Sequence, residues 1–242
     1  MTKLRDQIAV VSGASGGIGG AIATALAQEG ARVLLVGRDR GKLETLAGKI
    51  QAASLLAQVW PMDLTRDEDI EHLAHGVGTE FGRLDVLVHC AGAIDHGKLE
   101  DAPIEALDRQ YRANVRGPML LTQKLLPLLK KPRGQVVFVN SSVGLTARPN
   151  TGHFSATQHA FKAMADALRD EVNGDGVRVL SVYPGRTATP RIEALHAKEG
   201  RPYRPEVLLQ PEDVASVVLN AVTLPWTAEV MNISIRPMQK SY

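Results

Sequence analysis

Three glycines, Gly13, Gly17 and Gly19, lie in the run VVSGASGGIGGAIATALAQEG, between a β-branched stretch and a segment of helical period. Glycines let the backbone turn tightly and approach a bound group closely, while the first turn of the helix offers free N–H groups and a positive dipole end. The group suited to that setting is the pyrophosphate of a dinucleotide, with Ser15 and Ile18 beside it in the loop. A second apolar run ends in Gly37 and is followed by Arg38, where an acid would receive the ribose hydroxyls of NAD. A guanidinium offers a planar, charge-assisted fork to a 2′-phosphate, so NADP is favoured over NAD. The competing reading of Arg38 is a solvated helix-start residue in the polar run GRDRGKL.

The elements that must hold these residues alternate from end to end. Strand candidates are 7–13, 32–37, 55–63, 84–92, 134–142, 177–185 and 229–237; segments of helical period are 17–29, 39–53, 66–81, 103–131, 152–173 and 211–223. Several strands are apolar at consecutive positions, as strands covered on both faces are. The pattern predicts one α/β domain over residues 1–242. It is a Rossmann-like, doubly wound parallel sheet of about seven strands with helices on both faces. Residues 186–210, rich in charge and proline, carry no obvious core element and follow the sixth strand, so a cover over the ligand site is expected there.

The chain has 242 residues, 44% of them hydrophobic, enough to bury a large core without metals or disulfides. No metal site is expected. With 28 basic against 26 acidic residues the formal charge is +2, which gives no electrostatic case for nucleic acid or an anionic membrane. No apolar run approaches the roughly 18 to 20 residues of a membrane span. The single cysteine, Cys90, excludes an internal disulfide framework, and a soluble cytoplasmic protein is expected.

The spacing of the glycine loop resembles that of the short-chain dehydrogenase/reductase family, and the resemblance recurs along nearly the whole chain. MDLT, with Asp63 and Leu64, resembles the family's adenine-side contact. HCAG, with Cys90, Ala91 and Gly92, resembles its NNAG at the fourth strand. Asn114 in ANVRG stands where the family keeps an active-site asparagine. YPGRTAT, with Pro184, Gly185, Thr187 and Thr189, matches the segment that contacts the nicotinamide. The resemblance implies hydride transfer between NADP(H) and a small carbonyl or alcohol, and a homodimer or homotetramer paired through the helices at 103–131 and 152–173.

The family's chemistry divides among a serine that binds the substrate oxygen, a tyrosine that exchanges the proton, a lysine that holds the ribose and lowers the tyrosine pKa, and the asparagine, which fixes a water. Ser141 lies thirteen positions before position 154 and three before Gly144, as the family's serine does; Ser142 misses both spacings by one. The tyrosine position then holds Phe154 and the lysine position, one helical turn on, holds Gln158. Phe154 keeps the ring without a proton to give, and Gln158 keeps hydrogen-bonding reach to a ribose hydroxyl without charge. General acid catalysis contributes about 10²–10⁴-fold, so ordinary turnover is expected to be severely reduced while nucleotide binding is retained.

Three functions fit. One is an NADP-dependent oxidoreductase scaffold with the two positions substituted from an active parent; another is a natural nucleotide-sensing or regulatory protein without turnover. The third is an enzyme that takes its proton from water or substrate. His153 and His159 flank the two positions but default to packed or surface roles, as does Lys162. Tyr183 and Tyr111 are assigned to packing. Cys90 is expected near the adenosine ribose as a small buried residue, with His89 and His96 the local candidates for a cation beside it.

Overall fold

A computed structural model describes residues 2–239; the polar tail at 240–242 lies outside them. The chain runs β1 (Ile8–Ser12), α1 (Gly17–Gln28), β2 (Arg32–Gly37), α2 (Arg40–Ala52), β3 (Ala57–Pro61), α3 (Asp67–Phe81), β4 (Val86–His89), α4 (Ile104–Tyr111), α5 (Gly117–Lys130), β5 (Gln135–Val139), α6 (Gly152–Val172), β6 (Arg178–Pro184), α7 (Pro190–Lys198), α8 (Pro211–Val222) and β7 (Asn232–Ile235). The strands form one parallel sheet in the order β3-β2-β1-β4-β5-β6-β7.

The consecutive apolar residues of the strands divide between two cores. Ala9, Val11, Val33 and Leu35 face α1, α2 and α8, while Ile8, Val10, Leu34 and Val36 face α3, α5 and α6. Alternation with period two therefore survives inside strands that look uniformly apolar, because both faces are covered. Each fully buried Leu or Val contributes about 1.5–3 kcal/mol of transfer free energy, and that rigidity fixes the carboxyl ends of the strands. Since β2 and β3 lie on one side of β1 and β4 on the other, the strand order reverses between β1 and β4. A crevice opens at such a point.

Three expectations are corrected. The strands are shorter than the apolar runs, with β4 at 86–89 rather than 84–92 and β7 at 232–235 rather than 229–237; the residues beyond their carboxyl ends leave the ladder to shape the crevice. The segment 103–131 is interrupted by a π turn at Arg112–Arg116, where Gly117 N–H reaches back to the Arg112 carbonyl. Pro118, lacking an N–H, cannot donate to the carbonyl of Asn114 four residues back. Finally, the segment 186–210 contains α7, capped by Thr189, whose Oγ1 accepts from Ile192 N–H at 3.3 Å. Among the described residues, no helix is long and apolar enough to cross a membrane.

Candidate active site

Gly13 leaves β1 at φ +72°, and a Cβ there would stand 2.6 Å from the Ala91 amide nitrogen. A side chain at Gly19 would collide with the Gly13 carbonyl, and one at Gly17 would stand 2.8 Å from Thr189 Cγ2. Main chain of the loop and of residues 90–92 after β4, with the Thr189 side chain at the start of α7, thus converges where the strand order reverses. Ser12 braces the junction: its hydroxyl donates to the Val88 carbonyl at 3.1 Å and accepts from the Cys90 and Ala91 amides at 3.2 and 3.4 Å. Ser15 closes the other side, its Oγ 3.1 Å from where a Gly37 Cβ would stand. Ile18, in the first turn of α1, packs against the core. The glycines let the loop pack this closely and leave the amides at the start of α1, the kind of group a pyrophosphate needs, at the crevice.

Arg38 is exposed at the end of β2. Arg191, on the first turn of α7, lies near Cys90 and Arg38. Burial pushes its guanidinium down; Cys90 opposes that shift and Arg38 adds to it. Both side chains reach solvent, and their like charges favour an anion nearby. The sequence placed Arg191 only among the mixed charges of 186–210. Asp63 is partly committed locally, its Oδ1 accepting from the Thr65 amide and hydroxyl at 2.9 and 2.8 Å; Leu64 is buried, with its carbonyl against Gly117.

Cys90 is half-buried. Burial pushes its thiol up to about 12, against the pull of Arg191, so it is not a thiolate at neutral pH. Of the two histidines expected beside it, His89 carries no charge: burial pushes its imidazole down to about 3. The Thr122 hydroxyl donates to the Pro118 carbonyl at 2.8 Å and so accepts from His89 Nε2–H at 2.8 Å, which leaves Nδ1 as a buried lone pair with no partner. Arg191 is the cation that reaches the thiol.

The residues expected to do chemistry come together beside this cradle. Asn114, 2% exposed, sits in the π turn and turns its amide onto residue 93: Oδ1 accepts from Ala93 N–H at 2.7 Å and Nδ2 donates to Ala93 O at 2.9 Å. The same Nδ2 donates to Thr157 Oγ1 at 3.0 Å, and Thr157 donates to the Phe154 carbonyl at 2.8 Å. With the side chain committed, the Asn114 carbonyl also lacks the donor four residues on, because that residue is Pro118. Gly92 is packed against this amide.

Ser141 follows β5, partly open, its Oγ accepting weakly from the Val143 amide at 3.4 Å. Asn140, which sequence reasoning did not single out, brackets the site: Oδ1 accepts from Ser141 N–H at 2.7 Å and Nδ2 donates to the Gln158 carbonyl at 3.0 Å. Phe154 and Gln158 are each 6% exposed on α6, facing this bracket. Lys162 is bound to Asp166 at 2.5 Å, which raises its pKa, and is not available to replace the missing lysine. Tyr183 is buried with its hydroxyl 3.4 Å from Asn232 Oδ1, as expected of a core residue. Tyr111, expected to pack, is 50% exposed.

His153 is buried with Nδ1 unpartnered, and His159 Nδ1 is 2.9 Å from the Ser155 carbonyl. Behind the site, Pro184 ends β6, and Gly185 N–H bonds the Ile235 carbonyl at 2.8 Å. Thr187 pairs with Leu209 in an isolated parallel bridge, flanked by bonds from Ala188 N–H to Leu209 O (2.7 Å) and from Leu209 N–H to Arg186 O (3.1 Å). The segment between these residues is thus closed at its neck.

The family model described as short chain dehydrogenase matches residues 7–200. An uncharacterized oxidoreductase of Staphylococcus aureus is 33% identical over 239 residues, covering 98% of this chain and all of the relative. Among solved structures, an alcohol dehydrogenase from the archaeon Thermococcus sibiricus, complexed with 5-hydroxy-NADP, superposes with a TM-score of 0.88 at 28% identity, covering 98% of this chain and 100% of that one. A short chain dehydrogenase from Shigella flexneri complexed with NADP gives 0.88 at 30% identity, covering 97% and 99%.

Proposed function

The chain belongs to the short chain dehydrogenase family, and from that premise we propose that it binds NADP(H) and transfers hydride between it and a small carbonyl or alcohol, with turnover well below that of a Tyr–Lys site. The observation that carries the reading is the close-packed glycine loop of Gly13, Gly17 and Gly19 where the strand order reverses, with Arg38 exposed at the end of β2. The NADP complexes of the two structural neighbours support it.

When bound, the reduced nicotinamide supplies hydride. The protein's part is to position and to handle the proton. The amides of residues 13–19 and the first turn of α1 receive the pyrophosphate, Arg38 the 2′-phosphate, and Asp63 and Leu64 the adenine side. Cys90, Ala91 and Gly92 line the adenosine ribose, and Pro184, Gly185, Thr187 and Thr189 face the nicotinamide. Ser141 donates to the substrate oxygen, the Asn114 carbonyl holds a water, and the Gln158 amide hydrogen-bonds a ribose hydroxyl. Residues 186–210 cover the substrate. At position 154 no proton is available, and at 158 no charge. That pair of losses also supports a nucleotide-sensing role without turnover as a second reading. Ile104, Tyr111 and Met119, exposed on α4 and α5, support pairing of two copies through these helices.

Calorimetric titration tests the cofactor assignment. NADPH binds about tenfold or more tightly than NADH, and Arg38→Ala removes most of that preference, since a charge-assisted pair contributes about 1.5–3 kcal/mol. Tighter binding of NADH overturns the assignment. Turnover of NADPH against a panel of ketones and aldehydes separates the slow enzyme from the sensor.

A further inference from the structure

We propose that His96, held by Glu199, is the proton donor for carbonyl reduction in this chain, in place of the phenol absent at position 154; the proposal rests on the hydride-transfer reading above. The His96 ring centroid lies 6.1 Å from that of Phe154, tilted by 45°. Its Nδ1 is 3.1 Å from Glu199 Oε1, just past the end of α7. Residues 96 and 199 come from opposite walls of the site, the loop after β4 and the covering segment.

The loop that carries His96 is fixed at every second residue. Ala93 is held by Asn114, the Asp95 amide donates to Gln110 Oε1 at 3.2 Å, and the Gly97 amide donates to the Asn150 carbonyl at 2.9 Å. Glu199 is fixed in turn: Arg186 donates to its Oε2 at 3.0 Å, Arg201 lies 3.5 Å away, and Arg186 also donates to His196 Nε2 at 2.6 Å. His196 Nδ1–H bonds the Pro202 carbonyl at 3.0 Å, so this second imidazole is neutral and committed. Burial raises the Glu199 carboxyl, but the bonds from His96 and Arg186 outweigh it and hold Glu199 below the usual carboxylate range. Glu199 therefore stays an anion that orients the imidazole through its Nδ1–H.

With Nδ1–H directed to the carboxylate, Nε2 is the nitrogen free to exchange a proton. Among the described residues no other candidate beside position 154 combines these features. His153 is about 100° round the helix from Phe154, and no carboxylate contacts it. His159 is exposed and turned to its own helix, and Lys162 is paired with Asp166. The charged groups around His96 are Glu199, Arg186 and Arg201 of the covering segment, Asp95 and Lys98 of its own loop, and Arg109 of α4, which is 3.4 Å from Asp95. The α6 wall offers the uncharged Phe154.

The step balances as an ordinary reduction. Hydride from the reduced dinucleotide brings two electrons to the carbonyl carbon, the π pair moves to oxygen, and the oxygen takes the proton from Nε2, directly or through one water. Alcohol and oxidised dinucleotide result. His96 is left neutral and regains its proton from solvent.

The test uses the full chain, His96→Asn, His96→Gly and Glu199→Gln. Reduction by the unmodified chain rises as pH falls and alcohol oxidation does the opposite, as proton exchange with a side chain requires. His96→Asn lowers kcat for reduction about 10²-fold and flattens this profile, while NADPH affinity by calorimetry changes less than about twofold. Free imidazole restores part of the turnover of His96→Gly. Independently of activity, the hydrogen-bonded Nδ1–H resonance that His96→Asn removes from the nitrogen-15 spectrum shifts upfield in Glu199→Gln.

No turnover by a chain that binds NADPH overturns the hydride-transfer reading together with this proposal, whereas turnover and pH profile unchanged in His96→Asn overturn this proposal alone. An Nδ1–H resonance indifferent to Glu199→Gln also overturns it. Failure to bind NADPH overturns the proposed function as well.

Discussion

The crevice between β1 and β4 is built from main chain, whereas the recess beside it, between β5 and α6, is built from side chains. In the first, Gly13 and Gly19 are defined by the absence of a Cβ, and the groups that face a ligand are amides every residue type would carry. In the second, Asn140 and Thr157 hold Ser141, Asn114 and α6 in register, yet the groups they position are individual side chains. Chemistry of the second kind rests on single letters that can change with no change of fold. Binding of the first kind is removed only by deforming the backbone.

Three experiments sharpen that contrast. Phe154→Tyr combined with Gln158→Lys should raise carbonyl reduction by about 10²-fold or more, measured as NADPH oxidation, because the brackets around α6 are already in place; an unchanged rate would show that the recess does not present position 154 to the substrate. Gly13→Val attacks the other region. A branched side chain at φ +72° and against the Ala91 amide costs several kcal/mol, so NADPH affinity should fall about 100-fold or more, measured by calorimetry on protein whose circular dichroism confirms folding.

The smallest effect lies beneath both regions, at His89. Its folded value of about 3 is below the unfolded 6.5, so the unfolded chain binds the extra proton between those values, and stability present above pH 6.5 is lost as pH falls towards 3. Between about pH 6.5 and about pH 5 the urea-unfolding free energy should drop by about 2 kcal/mol. His89→Leu should make that slope shallower.

The fold was legible because period two and period 3.6 alternate without a long interruption, and the cradle because glycine, loop and helix start are contiguous in sequence. Other features were hidden for identifiable reasons. The π turn adds a single residue to a helix, which hydrophobic period does not register, although Gly117-Pro118 inside 103–131 was a signal for it. Helix α7 buries only His196, so no apolar stripe announced it. The partners of His96 and Cys90 were invisible because Glu199 and Arg191 are each about a hundred positions away, and spacing says nothing about contacts made across the mouth of a sheet. Tyr111 was assigned to packing from its place on a helix, and the helix turns it outward.

The bridge joining Thr187 to Leu209 has a further consequence. Closing a loop costs entropy that grows only slowly with the length enclosed, and here the closure is made at a neck that hydrogen-bonds independently of what lies beyond it. Residues 192–206 can therefore be lengthened, shortened or grafted from a homologue with little penalty to the sheet. The segment beyond the neck is in this sense an exchangeable part fastened to a fixed frame.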